Sequence, residues 1–140
     1  MYNYYRANQN EVDQIAKALA GEYNAIQCYE QMANKAKNEE EKKKIMEIRN
    51  DEIKHYQTFA AIYQSLSGMQ YNPEQTEECT EEYYAALTAA FKDEQETVDF
   101  YLDIAENASS PYIRKQFKRA SADEQNHAVW FLYYLRDKKV

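Results

Sequence analysis

The two halves of this chain repeat one another, and that repeat limits the fold more than any other feature. Residues 15–62 align with residues 87–134 without a gap, at a constant offset of 72 positions. Apolar residues in both copies recur in alternating steps of three and four, the spacing of a helix that packs on one face. Only two Gly and two Pro occur in 140 residues, which leaves few turns for strands and hairpins. The sequence therefore predicts an all-α fold built from one helical hairpin used twice.

Each predicted helix has a start or stop signal. Asn10 is a candidate N-cap, Gly68 is a typical C-terminal stop, and Thr80 with the acidic residues after it can open a helix. Ser110 precedes Pro111, and Pro is favoured in the first helical turn. We expect one domain over residues 1–140, with helices at about residues 11–37, 40–66, 80–107 and 111–137.

The connections between the predicted helices differ in length. A few residues join the helices of each hairpin, so these helices should run antiparallel. Between the hairpins, residues 67–79 show no helical period. An extended segment of that length spans ~40 Å at ~3.3 Å per residue, and a helix of about 27 residues is equally long. The segment can therefore cross the whole length of a four-helix bundle, which disfavours simple up-down-up-down order.

Six polar residues stand where the helical pattern calls for core residues. Each hairpin supplies one Glu from its first helix and a Glu-x-x-His from its second, and the chain has no other His. Residues three apart share a helical face, so both can reach one ion, and carboxylates mixed with imidazoles suit iron or manganese. Four buried carboxylates also carry the charge that two divalent ions balance. The predicted metal ligands are Glu22, Glu52, His55, Glu94, Glu124 and His127.

Further polar residues recur at the same offset. Asp51 and Asp123 each lie four positions before the His of a Glu-x-x-His. We expect each carboxylate to accept the second N–H of the other hairpin's His, pairing Asp51 with His127 and Asp123 with His55. In each hairpin one tyrosine lies two turns after the Glu of the first helix. Hydrogen bonding to a ligand carboxylate and simple core packing both remain open for Tyr29 and Tyr101.

Composition indicates the cell compartment and excludes some classes of partner. A formal net charge of −7 argues against nucleic acid as a partner. No apolar run reaches the ~18 residues of a membrane span, and the first residues lack the order of a secretion signal. We therefore expect a cytoplasmic protein that does not bind membranes. In that compartment Cys28 and Cys79 should be reduced, with Cys28 acting as a small buried apolar residue.

The chain resembles the ferritin-like di-iron carboxylate superfamily, especially its rubrerythrin-like and bacterioferritin-like members. The resemblance covers nearly the whole chain and rests on Glu22, Glu94, DEIKH at 51–55 and DEQNH at 123–127. It implies a ferritin-like four-helix bundle with two Fe ions, or alternatively a mixed Fe/Mn pair or two Mn ions. It also implies a homodimer that reduces O2 or hydrogen peroxide, or that oxidises Fe(II) for storage.

Departures from the family pattern shape the functional hypotheses. Two cysteines cannot form the four-cysteine iron site of a rubredoxin domain, so we expect an external electron donor. Thr97 stands where rubrerythrins carry an extra carboxylate, and Ile53 stands where bacterioferritins carry a haem-binding Met. The first hypothesis is a dimetal oxidoreductase that reduces peroxide or O2. The alternatives are a ferroxidase or iron-handling module, and a structural protein with a vestigial dimetal core.

Overall fold

Four α-helices make up the bundle. The computed structural model describes residues 2–138, and their side chains from residue 9 onward. No strand occurs in this part of the chain, so the predicted all-α four-helix fold is confirmed. Within the same residues, no helix combines the length and the apolar character that crossing a membrane requires. The helices are α1 (Tyr2–Asn34), α2 (Glu39–Ser67), α3 (Tyr83–Glu106) and α4 (Pro111–Leu135).

Two of the predicted helix signals are confirmed. Gly68 ends α2 in the left-handed conformation with φ 75°, and its N–H donates to the carbonyl of Gln64 at 2.8 Å. The Ser110 hydroxyl accepts a hydrogen bond from the Ile113 N–H at 3.2 Å, and Pro111 opens α4. Both ends follow local chemistry, because Gly adopts positive φ at low cost and Ser satisfies a free helix N–H.

Two predicted helix starts are wrong. α1 begins at Tyr2, so Asn10 lies inside the helix and does not cap it. Neither Gly nor Pro precedes Asn10, so nothing interrupts the helix there. α3 begins at Tyr83 and not at Thr80, because the Glu82 carboxylate accepts two free N–H groups of the first turn at 2.6 and 3.0 Å. Glu82 therefore caps α3, and Thr80 lies in the segment before it.

The crossover, residues 68–82, runs beside α1 in the same direction. The Asn24 side chain donates to the Thr76 hydroxyl at 2.9 Å and accepts from the Thr76 N–H at 3.1 Å. Farther along, the Lys35 ammonium donates to the Glu81 carbonyl at 2.5 Å. The segment therefore travels the length of the bundle, and α3 starts near the end of α1. As a result α1 and α3 lie antiparallel.

A disulfide joins the crossover to α1. Cys28 and Cys79 are bonded, so the expectation of two reduced thiols, with Cys28 as a buried apolar residue, is wrong. The Cα atoms are 5.2 Å apart because the crossover returns along α1 and brings residue 79 opposite residue 28. Both side chains are half-buried. In the chain-entropy model, closing a loop across a separation of 51 residues stabilises the fold by about 4 kcal/mol.

The apolar core consists of two clusters at different levels of the bundle. One contains Phe59 and Phe117, whose rings stack with centroids 4.1 Å apart. The other contains Ile48 and Phe131. Along α2, the positions between Ile48 and Phe59 that face the core carry Glu52 and the His three residues later. The predicted polar set therefore lies between two apolar layers, which keep water from its sides.

Gly21 lies inside α1, where no close contact requires a glycine. It is exposed, and a Cβ added there would meet no atom within 4 Å. Gly in a helix interior costs ~0.5–1 kcal/mol relative to Ala. We expect Gly21→Ala to raise the free energy of unfolding by that amount in a urea titration. Gly68→Ala is the matched control and should lower it, since φ at that position is positive. A less stable Gly21→Ala protein would contradict this.

Candidate metal centre

Six buried side chains meet at the centre of the bundle, each at most 8% exposed. They form two groups of four, and Glu52 and Glu124 belong to both. His55 belongs to the first group and His127 to the second. Within a group, one ligand atom of each residue lies within 4.8 Å of the others. The arrangement is that of two adjacent cation sites that share two carboxylates. The full set is Glu22, Glu52, His55, Glu94, Glu124 and His127.

The ligand atoms of these side chains point toward one another. Nδ1 of His55 lies 3.1 Å from Oε1 of Glu124 and 3.3 Å from Oε2 of Glu22. Nδ1 of His127 lies 3.4 Å from Oε1 of Glu52. This convergence follows from the sequence, because α2 and α4 each place a Glu and a His on one face and the hairpins pack with those faces inward.

The residues fit a pair of metal ions. Each of the six presents one buried atom that has no hydrogen-bond partner among the described residues. An unpaired buried polar atom costs ~1–3 kcal/mol, so six at one place favour a shared partner, either protons or metal ions. Four carboxylate oxygens and two imidazole nitrogens, with no thiolate, are the donors that iron and manganese accept. The chemistry of the donor set therefore supports a dimetal site and leaves the metal open.

Burial and charge control which of these atoms carry protons. Burial, together with the neighbouring carboxylates, raises the pKa of Glu52 to about 8 and that of Glu124 well above its usual value. Burial disfavours a charged imidazole, yet the surrounding carboxylates outweigh it and raise the pKa of His55 to about 12 and of His127 to about 9. Protons and metal ions therefore compete for the same ligand atoms.

An aspartate from the opposite hairpin orients each histidine. Nε2 of His127 lies 2.8 Å from Oδ2 of Asp51, and Nε2 of His55 lies 2.8 Å from Oδ2 of Asp123. These are the pairs that the sequence spacing predicts. Burial opposes ionisation of Asp123, but the hydrogen bond from His55 and the charge of Arg119 lower its pKa. A carboxylate only accepts, so each Nε2 donates its hydrogen to an aspartate, and Nδ1 faces the cluster, where either a proton or a metal ion can bind it.

Removing either aspartate should weaken metal binding. We expect Asp51→Ala and Asp123→Ala each to lower metal affinity about 10–100-fold, because the ligand His loses the partner that fixes its orientation and tautomer. Competition with a metallochromic chelator measures the affinity. Asp99→Ala, an exposed change on α3, should leave it unchanged. Equal affinities in all three variants would show that the two aspartates do not support the histidines.

Two buried tyrosines hold the ligand carboxylates of the opposite hairpin. The Tyr29 hydroxyl donates to Oε1 of Glu94 at 2.6 Å, and the Tyr101 hydroxyl donates to Oε1 of Glu22 at 2.5 Å. Burial, and then the nearby carboxylates, raise the pKa of both tyrosines, so the hydroxyls keep their protons. Both rings also pack in the core, at 5.3 Å from Phe131 for Tyr29. Both roles that the sequence left open therefore apply, since each tyrosine donates a hydrogen bond to a carboxylate and also packs in the core.

A cavity of about 350 Å³ between α1, α3 and the crossover reaches the cluster. Its floor includes the buried Glu22 and Glu94, and its rim includes the exposed Gly21 and Glu77. Thr97, where the family resemblance leads one to look for a carboxylate, lines the same space. Sequence reasoning missed this approach to the cluster. The length of the crossover could have indicated it, since a segment that runs along α1 must pass the candidate ligand of that helix.

Comparison with known proteins agrees with the fold. The Rubrerythrin family model matches residues 85–140, which contain the second hairpin's candidate ligands. The chain is 50% identical over 134 residues to the uncharacterized protein YhjR of Bacillus subtilis (strain 168), covering 96% of this chain and 92% of that one. A solved structure of a hypothetical protein from Pyrococcus furiosus matches with a TM-score of 0.79. That match covers 90% of this chain and 88% of that one at 19% identity, which shows the fold alone. The chain belongs to the rubrerythrin-like family of ferritin-like proteins.

Proposed function

We propose that this protein binds two iron ions in the central cluster and reduces hydrogen peroxide or O2 with electrons from a separate donor. The observation that carries the proposal is the set of six buried ligand atoms without hydrogen-bond partners among the described residues. A mixed Fe/Mn pair or two Mn ions suit the same ligands. When bound, such a pair supplies electrons and polarises an O–O bond.

The chain's own residues prepare the site for this chemistry. Tyr101 occupies one oxygen of Glu22 and leaves Oε2 free, and Tyr29 does the same for Glu94. The phenolic protons stay on these hydroxyls, so each hydroxyl donates to its carboxylate and holds it in one orientation. Asp123 holds the His55 ring in the same way from its other side. Such fixed ligands need little rearrangement during a reaction, which lowers its barrier.

The cavity is large enough to admit a small oxidant. A volume of about 350 Å³ is ample for hydrogen peroxide or O2, since a water molecule takes up ~30 Å³ in the liquid. Glu22 and Glu94 form its floor at 2% and 1% exposure, so a molecule that enters the cavity can reach these two carboxylates.

Iron oxidation for storage is the second candidate function, and the charge around the cavity favours it. Glu77, Asp93 and Glu96 line the opening and are exposed. A mouth lined by carboxylates raises the local concentration of cations such as Fe(II). A ferroxidase would use the same cluster but release its product as stored iron.

The remaining parts of the proposal concern setting and partners. We propose a homodimer in the cytoplasm that takes electrons from another molecule and binds neither nucleic acid nor membrane. The net charge of −7 supports the exclusion of nucleic acid. The disulfide between Cys28 and Cys79 fits a cytoplasmic protein when it is transient and redox-active.

Peroxide turnover tests the proposal. Iron-loaded protein with dithiothreitol as reductant should consume many equivalents of hydrogen peroxide per chain, and metal-free protein should consume far less. Iron uptake well above two ions per chain, without sustained peroxide consumption, would favour the ferroxidase. Protein that holds two ions per chain yet does neither would contradict both and leave a structural role for the metal.

A further inference from the structure

The disulfide and the metal-ligand cluster share one cavity. Cys28 and Cys79 line the same space as the ligands Glu22, Glu94 and Glu124. No other Cys occurs in the chain, so this pair is its only dithiol. A disulfide placed solely to fasten the crossover could join α1 anywhere along its length. This one opens into the cavity from which small molecules reach the metal ligands.

The pair also lies close to the ligands along the chain. Cys28 follows Glu22 by six residues on α1, about 9 Å along the helix axis. It directly precedes Tyr29, whose hydroxyl donates to Glu94. A thiol at this position therefore lies less than two helical turns from Glu22 and borders the same cavity.

We propose that Cys28 and Cys79 are the two-electron donor of the metal centre, cycling between dithiol and disulfide. This inference rests on the proposed peroxide-reducing function and names the immediate source of its electrons. In one cycle two S–H bonds break and one S–S bond forms, which releases two electrons and two protons. The O–O bond of one hydrogen peroxide takes up both electrons and both protons and yields two waters. An external thiol then reduces the disulfide and is itself oxidised to its own disulfide.

The structure lets this pair open without dismantling the site. The hydrogen bonds between Asn24 and Thr76 hold the crossover on α1 one turn before Cys28, independently of the S–S bond. Both sulfur-bearing residues are half-buried, so an external thiol can approach them. Glu77 and Glu78 next to Cys79 are exposed and acidic, which favours an uncharged dithiol over an anionic one.

A single-turnover titration tests the proposal. Protein loaded with Fe(II) without oxygen is treated with dithiothreitol to open the disulfide, freed of reductant, and titrated with hydrogen peroxide while free thiols are counted. The metal pair and the dithiol each hold two electrons, so wild type should consume about two peroxides per chain and lose both thiols. Cys28→Ser/Cys79→Ser should consume about one. Metal-free wild type should lose its thiols at least tenfold more slowly.

The possible failures are distinguishable. If wild type and the Ser variant each consume one peroxide and the wild-type thiols stay free, the dithiol proposal is wrong while the proposed function stands. If neither consumes peroxide, the proposed function fails and the dithiol role with it. Thiol loss that is equally fast without metal would show that the pair does not serve the metal centre. Should the Ser variant not fold, the wild-type thiol count alone decides.

Discussion

The double substitution Glu52→Ala/Glu124→Ala should reduce bound metal from about two ions per chain to nearly none. These two carboxylates belong to both groups of ligands, so their loss leaves each group with one Glu and one His. Loss of an outer hydrogen-bond partner alone costs about 10–100-fold in metal affinity, and loss of two direct ligands from each ion must cost more. Metal analysis after dialysis against buffer without chelator measures the result.

A matched control separates ligand loss from damage to the helices. Glu47 and Gln125 are exposed residues of α2 and α4, so Glu47→Ala/Gln125→Ala changes the same helices without touching the cluster. We expect this variant to keep about two ions per chain and its peroxide turnover. If the Glu52→Ala/Glu124→Ala protein stayed folded and still held two ions, the shared carboxylates would not be the ligands.

Metal loading should reverse the way stability depends on pH. In the metal-free protein the folded-state pKa of Glu52 is raised from 4.5 to about 8, and that of His127 from 6.5 to about 9. The folded state then binds more protons than the unfolded state in this range. Stability from these groups is complete below the unfolded pKa and is lost as pH rises through the folded pKa. Metal ions need deprotonated ligands, so the stabilisation they add grows as pH rises.

Urea unfolding at about pH 5 and about pH 8, with and without metal, measures this reversal. We expect the metal-free protein to be less stable at the higher pH, and the gain in stability on adding metal to be larger there. The Glu52→Ala/Glu124→Ala variant should lose much of the pH dependence, because two of the groups with raised pKa are gone. If the metal-free wild type became more stable as pH rises, the pKa values of these carboxylates would not be raised in the folded state.

The burial of the candidate ligands could be predicted from the sequence because periodicity determines it. Glu52 and His55 fall on the same helical face as Ile48 and Phe59, and both apolar residues are buried as that pattern requires. The repeat then extends the prediction to the other hairpin without further information. Burial of a residue depends mainly on its own helix, which a single sequence can reveal.

The disulfide could not be predicted in this way. Cys28 lies on a helix and Cys79 on a segment without period, and their approach to 5.2 Å between Cα atoms depends on how the crossover returns along α1. Contacts of this kind depend on tertiary structure and leave no repeating pattern. The predicted start of α1 was wrong for a simpler reason. Asn is a good N-cap residue, but it also fits inside a helix whose earlier residues are helical, as at Asn10.

The central claim is that the buried carboxylates and imidazoles hold two metal ions. Anomalous scattering from a crystal of iron-loaded protein, measured at the iron edge, tests it most directly. We expect two separate peaks per chain between Glu52 and Glu124, one beside Nδ1 of His55 and the other beside Nδ1 of His127. A single peak elsewhere, or no peak in protein that remains fully folded, would contradict the claim.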